Sequence, residues 1–504
     1  MTRDLSKYLA SGFRRFSSGL MLSRISGLGR DLVMAYVFGD HPSVAALLIA
    51  FRFSHLLRRF LGEGALQSAF VPHFEGLKNQ DENRAYGFFQ QLTRLLSIIL
   101  LLIVIVLEVG ATSIMSVVPT KNREILYLTT WMLPSLIFIS LYGLNLSFLQ
   151  CHNSFFIPNI SPCISNMMWM VGALSLKGQA VGEAMPVLAK WVVVGFVIQW
   201  IATLPQVRQF VRRKTNGPLL SKEVKVLAKI FSLGALGVGA MQINSFLDVI
   251  FSRYAHSSGP LYLWYASRFQ QFALAMFGIA TVSTLAPVLS RAIKCGDIER
   301  GKEIFIFGCR RVLTVMLLMT FAIHTLGFGA IDLIFGRGNF SPYAVDQTSK
   351  CLIAYSLGLI PTALIMLYSV VSYAEGDFRR PTIFSFFTMG INLVLNSLFV
   401  FGLGLGAVSI AWATSIGGWC NYCMLRYLLL KRGWSMGQSL SSLTSLLSTA
   451  LLASLAIWFL EGFLRQIVSN RLCLFVVPGI LFSLIFVFYA FCIKDWSELK
   501  AIVR

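Results

Sequence analysis

Long apolar runs recur along the chain, each close to the length of a bilayer-spanning helix, with short polar stretches between them. A spanning helix needs roughly 20 apolar residues, and by that criterion the sequence predicts about 14 spans. They lie near 14–38, 44–71, 86–117, 124–150, 156–176, 185–210, 225–254, 260–290, 304–335, 347–374, 381–402, 405–430, 440–464 and 471–493. Barrel strands would show short segments of strict alternation, and these are absent, so the expected fold is all-α. The first two spans are the least apolar, because Arg24, Arg30 and Asp31 interrupt one and Arg52, Arg58 and Arg59 the other.

Composition agrees. Of the 504 residues 56% are hydrophobic and only 13% charged, too apolar for a soluble protein and too long for a simple anchor. The basic residues fall unevenly between the two sets of connections. One set holds Arg3, Lys7, Arg14, Arg15, the 208–225 and 291–311 segments, Arg379, Arg380, Lys431, Arg432 and the C-terminal tail. The other holds little beyond Lys121, Arg123, Lys177, Arg337, Arg465 and Arg471, a ratio of roughly 26 to 7. The positive-inside rule then places both termini in the cytoplasm. The net charge of +21 is explained by this topology and by anionic headgroups, so no nucleic-acid partner is expected. The N-terminal run is broken by Ser23, Arg24, Arg30 and Asp31, unlike the continuous core of a cleaved signal. Nine scattered cysteines give no disulfide framework, and Cys420 and Cys423 lie inside a predicted helix, where they read as packing.

Charges inside the spans carry the functional signal. A charged side chain at the bilayer centre costs roughly 2.5–3.5 kcal/mol, so Arg24, Arg30, Arg58 and Arg268 are expected to face a watery or anion-filled interior. Several cations there imply an anionic cargo. At about 100° per residue, Arg24 and Asp31 share a face while Arg30 points away from Asp31. Arg52, Arg59 and Glu63 share a face of the second span, and Glu63 can pair with Arg59. Arg30, Arg58 and Arg268 have no obvious local carboxylate partner. The six histidines show no catalytic spacing and no Walker-type loop occurs, which argues against an enzyme or an ATP-driven pump.

A faint internal repeat is also present. Ala65-x-x-Ser68-x-x-x-Pro72 closes the second span and Ala280-x-x-Ser283-x-x-x-Pro287 the eighth, with Arg52 and Arg268 at similar depths before them. Pro134 and Pro158 open the fourth and fifth spans as Pro361 and Pro381 do the tenth and eleventh, and the fifth and eleventh each carry an asparagine, Asn166 and Asn392. This predicts two six-helix lobes, 1–215 and 216–435, plus two extra helices in 436–504, an arrangement suited to a transporter that rocks about a central site.

The run Ser23-Arg24-Ile25-Ser26-Gly27-Leu28-Gly29-Arg30-Asp31, then Phe38-Gly39, Leu56-Leu57-Arg58-Arg59, Glu63-Gly64-Ala65 and Ala69-Phe70-Val71-Pro72, resembles the N-terminal signature of the MurJ (MviN) family of lipid II flippases. The likeness continues through Tyr265-Ala266-Ser267-Arg268, Ser283 to Ser290, Phe335 to Phe340 and Tyr373-Ala374-x-x-Asp377-x-Arg379-x-Pro381. It implies the multidrug/oligosaccharidyl-lipid/polysaccharide exporter fold, with a cationic central cavity and a lipid-tail groove formed by the last two helices. It also implies transport of lipid II across a bacterial inner membrane for peptidoglycan synthesis, by alternating access and without catalysis. Arg24, Arg30, Arg58, Arg268 and Asp31 fall on the family's substrate-binding positions, with Arg52, Arg59 and Glu63 in support. Where the family often has acids, this chain has Ala45, Ser267 and Gln271, and Ser54-His55 replace a Pro-Asn pair. No organic cofactor is expected. A coupling ion, Na⁺, Cl⁻ or H⁺, is, and Asp248, Asn392, Asn396 and Thr414 are the candidate Na⁺ ligands. The expected partners are lipid II, membrane lipids and cell-wall synthesis or division proteins. The rival functions are export of another polyprenyl-pyrophosphate-linked saccharide, and drug/cation antiport, which would favour acidic rather than basic cavity residues.

Overall fold

The computed structural model describes residues 2–61, 65–211, 218, 220–435, 451 and 471–492. Among them the regular structure is helical, with no strand. The chain forms two compact units, Met1–Leu247 and Asp248–Arg504. The division falls inside one long helix, α11 (Lys222–Ala255). Before it come α1 (Thr2–Phe38), α2 (Pro42–Leu61), α3 (Ala65–Lys78), α4 (Glu82–Ile114), α5 (Thr120–Met132), α6 (Ser135–Gln150), α7 (Phe156–Ile160), α8 (Pro162–Ser175), α9 (Val181–Ile201) and α10 (Leu204–Phe210). After it come α12 (Gly259–Ala273), α13 (Ala280–Lys294), α14 (Ile298–Phe335), α15 (Pro342–Ser356), α16 (Leu359–Ala374), α17 (Arg379–Ser397), α18 (Val408–Lys431) and α19 (Arg471–Cys492). Single π-helical turns, Leu274–Ile279 and Leu398–Gly402, follow α12 and α17.

Every span expected from the sequence falls on one helix or on a broken pair, apart from 440–464, which lies almost wholly outside the described residues. Among the described residues, six helices are long and apolar enough to cross a bilayer unaided, and a seventh arises if α5 and α6, bent by 46°, count as one span. Hydropathy alone therefore does not reach the expected number. The charges of α1 and α2 dilute their apolar character, and the fifth span is split between α7 and α8.

Helix starts follow from local chemistry. Asp81 accepts from the backbone N–H of Asn83 and Arg84 to cap α4, Asp297 caps α14 through Arg300 N–H, and Ser341 caps α15 ahead of Pro342. The two repeat motifs both lie on helix, with Pro72 inside α3 and Pro287 inside α13. Pro134, by contrast, does not open the fourth span; it lies at the break between α5 and α6. Likewise Pro361 sits in the first turn of α16, after the α15–α16 break, because proline removes a donor and is tolerated where a helix restarts. The freed carbonyls are taken up by side chains. Ser135 Oγ donates to Met132 O at 2.6 Å, and Ser415 Oγ and Trp419 Nε1 of α18 donate to Ala354 O and Leu357 O.

Each unit has its own core. In the first, α3, α4 and α6 bury a phenylalanine stack in which Phe70 lies 5.3 Å from Phe74 and Phe89 4.1 Å from Phe148. In the second, α13, α14, α16 and α18 close around Phe305, Tyr368 and Tyr422, which meet edge to face.

A latch closes one end of the second unit. Arg432, just past α18, bonds Glu375 Oε2 at 2.7 Å and also Asp377, while Trp434 Nε1 donates to Glu375 Oε1 at 2.7 Å. Burial alone would raise the Asp377 carboxyl, but the Arg380 N–H and the Arg432 and Arg380 guanidiniums outweigh it and hold the group below its ordinary value. A depressed carboxyl contributes stability above its unfolded value and loses that contribution as pH falls through the folded one. Asp377→Asn should therefore lower the thermal midpoint at neutral pH. The gap to the native chain should close below about pH 4, as read from thermal unfolding in detergent across a pH series.

Candidate functional site

The first cluster sits where α8 meets α1. Gly172 and Gly195 let α8 and α9 approach closely: a methyl on Gly172 would lie 2.6 Å from Trp191, and one on Gly195 3.1 Å from the Ser165 backbone. Against the opposite helix, Asn166 and Trp169 of α8 reach Arg30. Arg30 is 7% exposed and Asp31 3%. The guanidinium donates from Nη2 at 2.7 Å and Nε at 3.0 Å to Asp31 Oδ1, and from Nη1 at 3.1 Å to Asn166 Oδ1. Its central carbon lies 4.8 Å from the Trp169 ring centroid and 5.9 Å from that of Phe51. The sequence reading gave Arg30 no local carboxylate; the structure corrects this. Helical rotation separates the Cβ directions of neighbours, yet an arginine arm is long enough to fold back onto the next residue's carboxylate.

The remaining predicted arginines are spread over both units. Arg24 is exposed on α1, seven residues before Asp31, whose Oδ1 is bonded by Arg30. Arg52 on α2 reaches Ser245 of α11, with Nη1 3.3 Å from Oγ and 3.4 Å from the carbonyl. Arg58 is half-buried on α2, one turn after His55, whose ring packs 3.9 Å from Phe51. Arg268 belongs to the second unit, half-buried on α12, its guanidinium carbon 4.2 Å over Trp264 and nearly two turns before the π-helical segment. Such turns recur at functional sites. Of the expected Arg59–Glu63 pair, Glu63 lies outside the described residues. At the positions that depart from the resemblance, Ala45 is buried, Ser267 Oγ donates to Trp264 O at 2.8 Å, and Gln271 is exposed.

The second cluster lies wholly in the second unit and brings the four candidate cation ligands together. Asn396 Nδ2 donates to Asp248 Oδ1 at 2.8 Å and to Asn392 Oδ1 at 2.9 Å, and Thr414 Oγ1 is 3.3 Å from Asp248 Oδ2. Asp248 is 7% exposed and Asn396 0%. Asn396 Oδ1 is buried with no hydrogen-bond partner, although an uncompensated buried acceptor is costly. Among the described residues no group of three His, Cys, Asp or Glu side chains is placed to hold a metal, so any cation here would meet one carboxylate and neutral oxygens.

A family model described as lipid II flippase MurJ matches residues 34–477. The chain belongs to the MurJ family. Among its MurJ relatives, the probable lipid II flippase of Chlamydia trachomatis serovar D is 31% identical over 427 residues, 85% of this chain and 80% of that protein. The Chlamydia muridarum protein of the same description is 32% identical over 429 residues, with the same shares. A solved lipid II flippase MurJ in an inward closed conformation superposes with a TM-score of 0.80 at 22% identity, over 97% of this chain and 99% of that one. An inward-facing multidrug transporter of the MATE family, in the MOP superfamily, gives 0.65 at 15%, over 84% and 98%. The fold is thus that of MurJ and MATE transporters, a multi-pass helical membrane protein, and the family is one of transporters rather than enzymes.

Three residues around Arg30 escaped the site prediction, Asn166, Trp169 and Phe51. Asn166 had a signal, its counterpart Asn392 in the repeat; Trp169 had none that set it apart from the other tryptophans of the chain.

Proposed function

We propose that this chain moves lipid II from the cytoplasmic to the periplasmic leaflet of a bacterial inner membrane, with both termini in the cytoplasm, to supply peptidoglycan synthesis. Lipid II carries a pyrophosphate between a polyprenyl tail and a large polar headgroup, so the headgroup and the charge need a path out of the hydrocarbon. Arg24, Arg30, Arg58 and Arg268 bind the pyrophosphate, their planar forks replacing its water bidentately. The lobes 1–215 and 216–435 open alternately, and the helices of 436–504 hold the tail. The observation that carries this reading is Arg30: a buried arginine in a membrane helix, held ready by a carboxylate, an amide and an aromatic face. Complementation tests it. Cells depleted of their own lipid II flippase should survive when this chain is expressed, and failure despite normal membrane accumulation would refute it.

The Asp248 cluster fits a coupling cation. A buried carboxylate with a hydroxyl and two amides beside it offers a small hard ion its oxygens once the Asn396 amide turns its orphaned oxygen toward Asp248, and Na⁺ suits such a set better than Cl⁻. Asp248, Asn396, Asn392 and Thr414 would hold the ion, which when bound supplies positive charge to the carboxylate. Asp248→Asn removes that charge while keeping the shape. Flipping should slow and lose any Na⁺ dependence, while collapse of the membrane potential should act on both forms. Native transport indifferent to Na⁺ would remove the sodium site and leave Asp248 protonated or paired, for instance with Arg253.

A further inference from the structure

Arg30 is gripped on two sides by chemically different groups. Asp31 takes the Nε/Nη2 edge of the guanidinium, and Asn166 takes Nη1. Asn166 is itself tied down, its Nδ2 donating to Ser26 Oγ at 2.9 Å and lying 3.5 Å from Ser23 O, one turn and two turns before Arg30. Three residues along α8, Trp169 presents its ring face to the guanidinium carbon, with its own Nε1 donating to Met34 Sδ at 3.1 Å. Phe51 of α2 also lies against the guanidinium. The contacts made by α8 therefore use different N–H groups and a different surface of the guanidinium from those that meet Asp31.

We infer that Asn166 and Trp169 are positioning residues for Arg30. They hold its plane fixed while the Nε/Nη2 edge passes between Asp31 and the pyrophosphate of the lipid substrate. The inference rests on Arg30 binding pyrophosphate, as proposed above. Both groups suit the task because they are neutral. An amide oxygen orients a guanidinium without cancelling its charge, and an indole face stabilises a cation that has lost water. A carboxylate at position 166 would orient Arg30 equally well but compete with the substrate for it. A fixed plane also spares the ordering of a long side chain at the moment of binding.

Charge and shape can be separated experimentally. Full-length variants in proteoliposomes are compared for lipid II flipping against lipid II concentration, alongside their thermal midpoints in detergent. Asn166→Leu and Trp169→Leu should raise the half-saturating concentration about tenfold and by more than they lower the maximal rate. Trp169→Phe, which keeps an aromatic face, should recover part of the loss. Asn166→Asp is close to isosteric and keeps the oxygen that meets Arg30; it loses the Nδ2 bonds to Ser26 and Ser23 just as Asn166→Leu does, so its thermal midpoint should fall no further than that variant's, while the positioning role predicts weakened saturation from the added charge. Native saturation in Asn166→Leu, Asn166→Asp and Trp169→Leu, with Arg30→Ala inactive, would overturn the inference and leave Arg30 as an anion ligand. Native saturation in Arg30→Ala would overturn the pyrophosphate reading itself, and the inference with it.

Discussion

Arg30→Ala should abolish transport and also destabilise the protein strongly, while Arg30→Ala combined with Asp31→Ala should recover much of the stability and none of the transport. The pair is buried and joined by two hydrogen bonds to one carboxylate oxygen. Removing one partner of such a pair leaves an uncompensated charge and costs about 3–5 kcal/mol. Removing both leaves only a partly filled space and the loss of the Asn166 and Trp169 contacts. Thermal unfolding in detergent would read the difference as a lower midpoint for the single than for the double variant. Equal midpoints would mean that Asp31 is compensated by something other than Arg30. Arg30→Lys should keep part of the stability through its charge but transport poorly, since an ammonium cannot offer two parallel donors.

Arg268 should behave differently. It is half-buried and lies on Trp264, a contact worth about 0.5–2 kcal/mol, so Arg268→Ala should lower the midpoint far less than Arg30→Ala. Transport should nonetheless be lost, and Arg268→Lys should restore little of it. Two alanine variants that are both inactive, one much less stable than the other, would separate anion binding from structural pairing. An Arg268→Ala chain that supports growth at normal rates would remove this residue from the substrate site.

The sequence made the membrane fold legible because span length is set by bilayer thickness, and even broken helices keep that length. The interruptions at 133–134 and 357–358 were harder to see, since a proline marks a restart without saying which side of the break it serves. The Asp248 cluster was legible through the family resemblance, which pointed to those four residues, and chemistry only made them plausible: an acid mid-span needs compensation, and asparagines one turn apart on a later helix can share a face. The Arg30–Asp31 pair could not, because helical angles describe where side chains start and not where a long one ends. Trp169 was hidden for a similar reason. Its role comes from a neighbour 139 residues earlier in the chain, Arg30, and membrane helices carry tryptophans for many purposes.

The most direct measurement is translocation of labelled lipid II by the purified chain in sealed proteoliposomes, with the Arg30→Ala and Arg268→Ala variants in parallel. The headgroup should cross the bilayer with the native chain and with neither variant, each still folded as judged by a cooperative thermal transition. Native chain that is folded and correctly inserted but leaves lipid II in its original leaflet, under imposed potential and in either Na⁺ or K⁺, would contradict it.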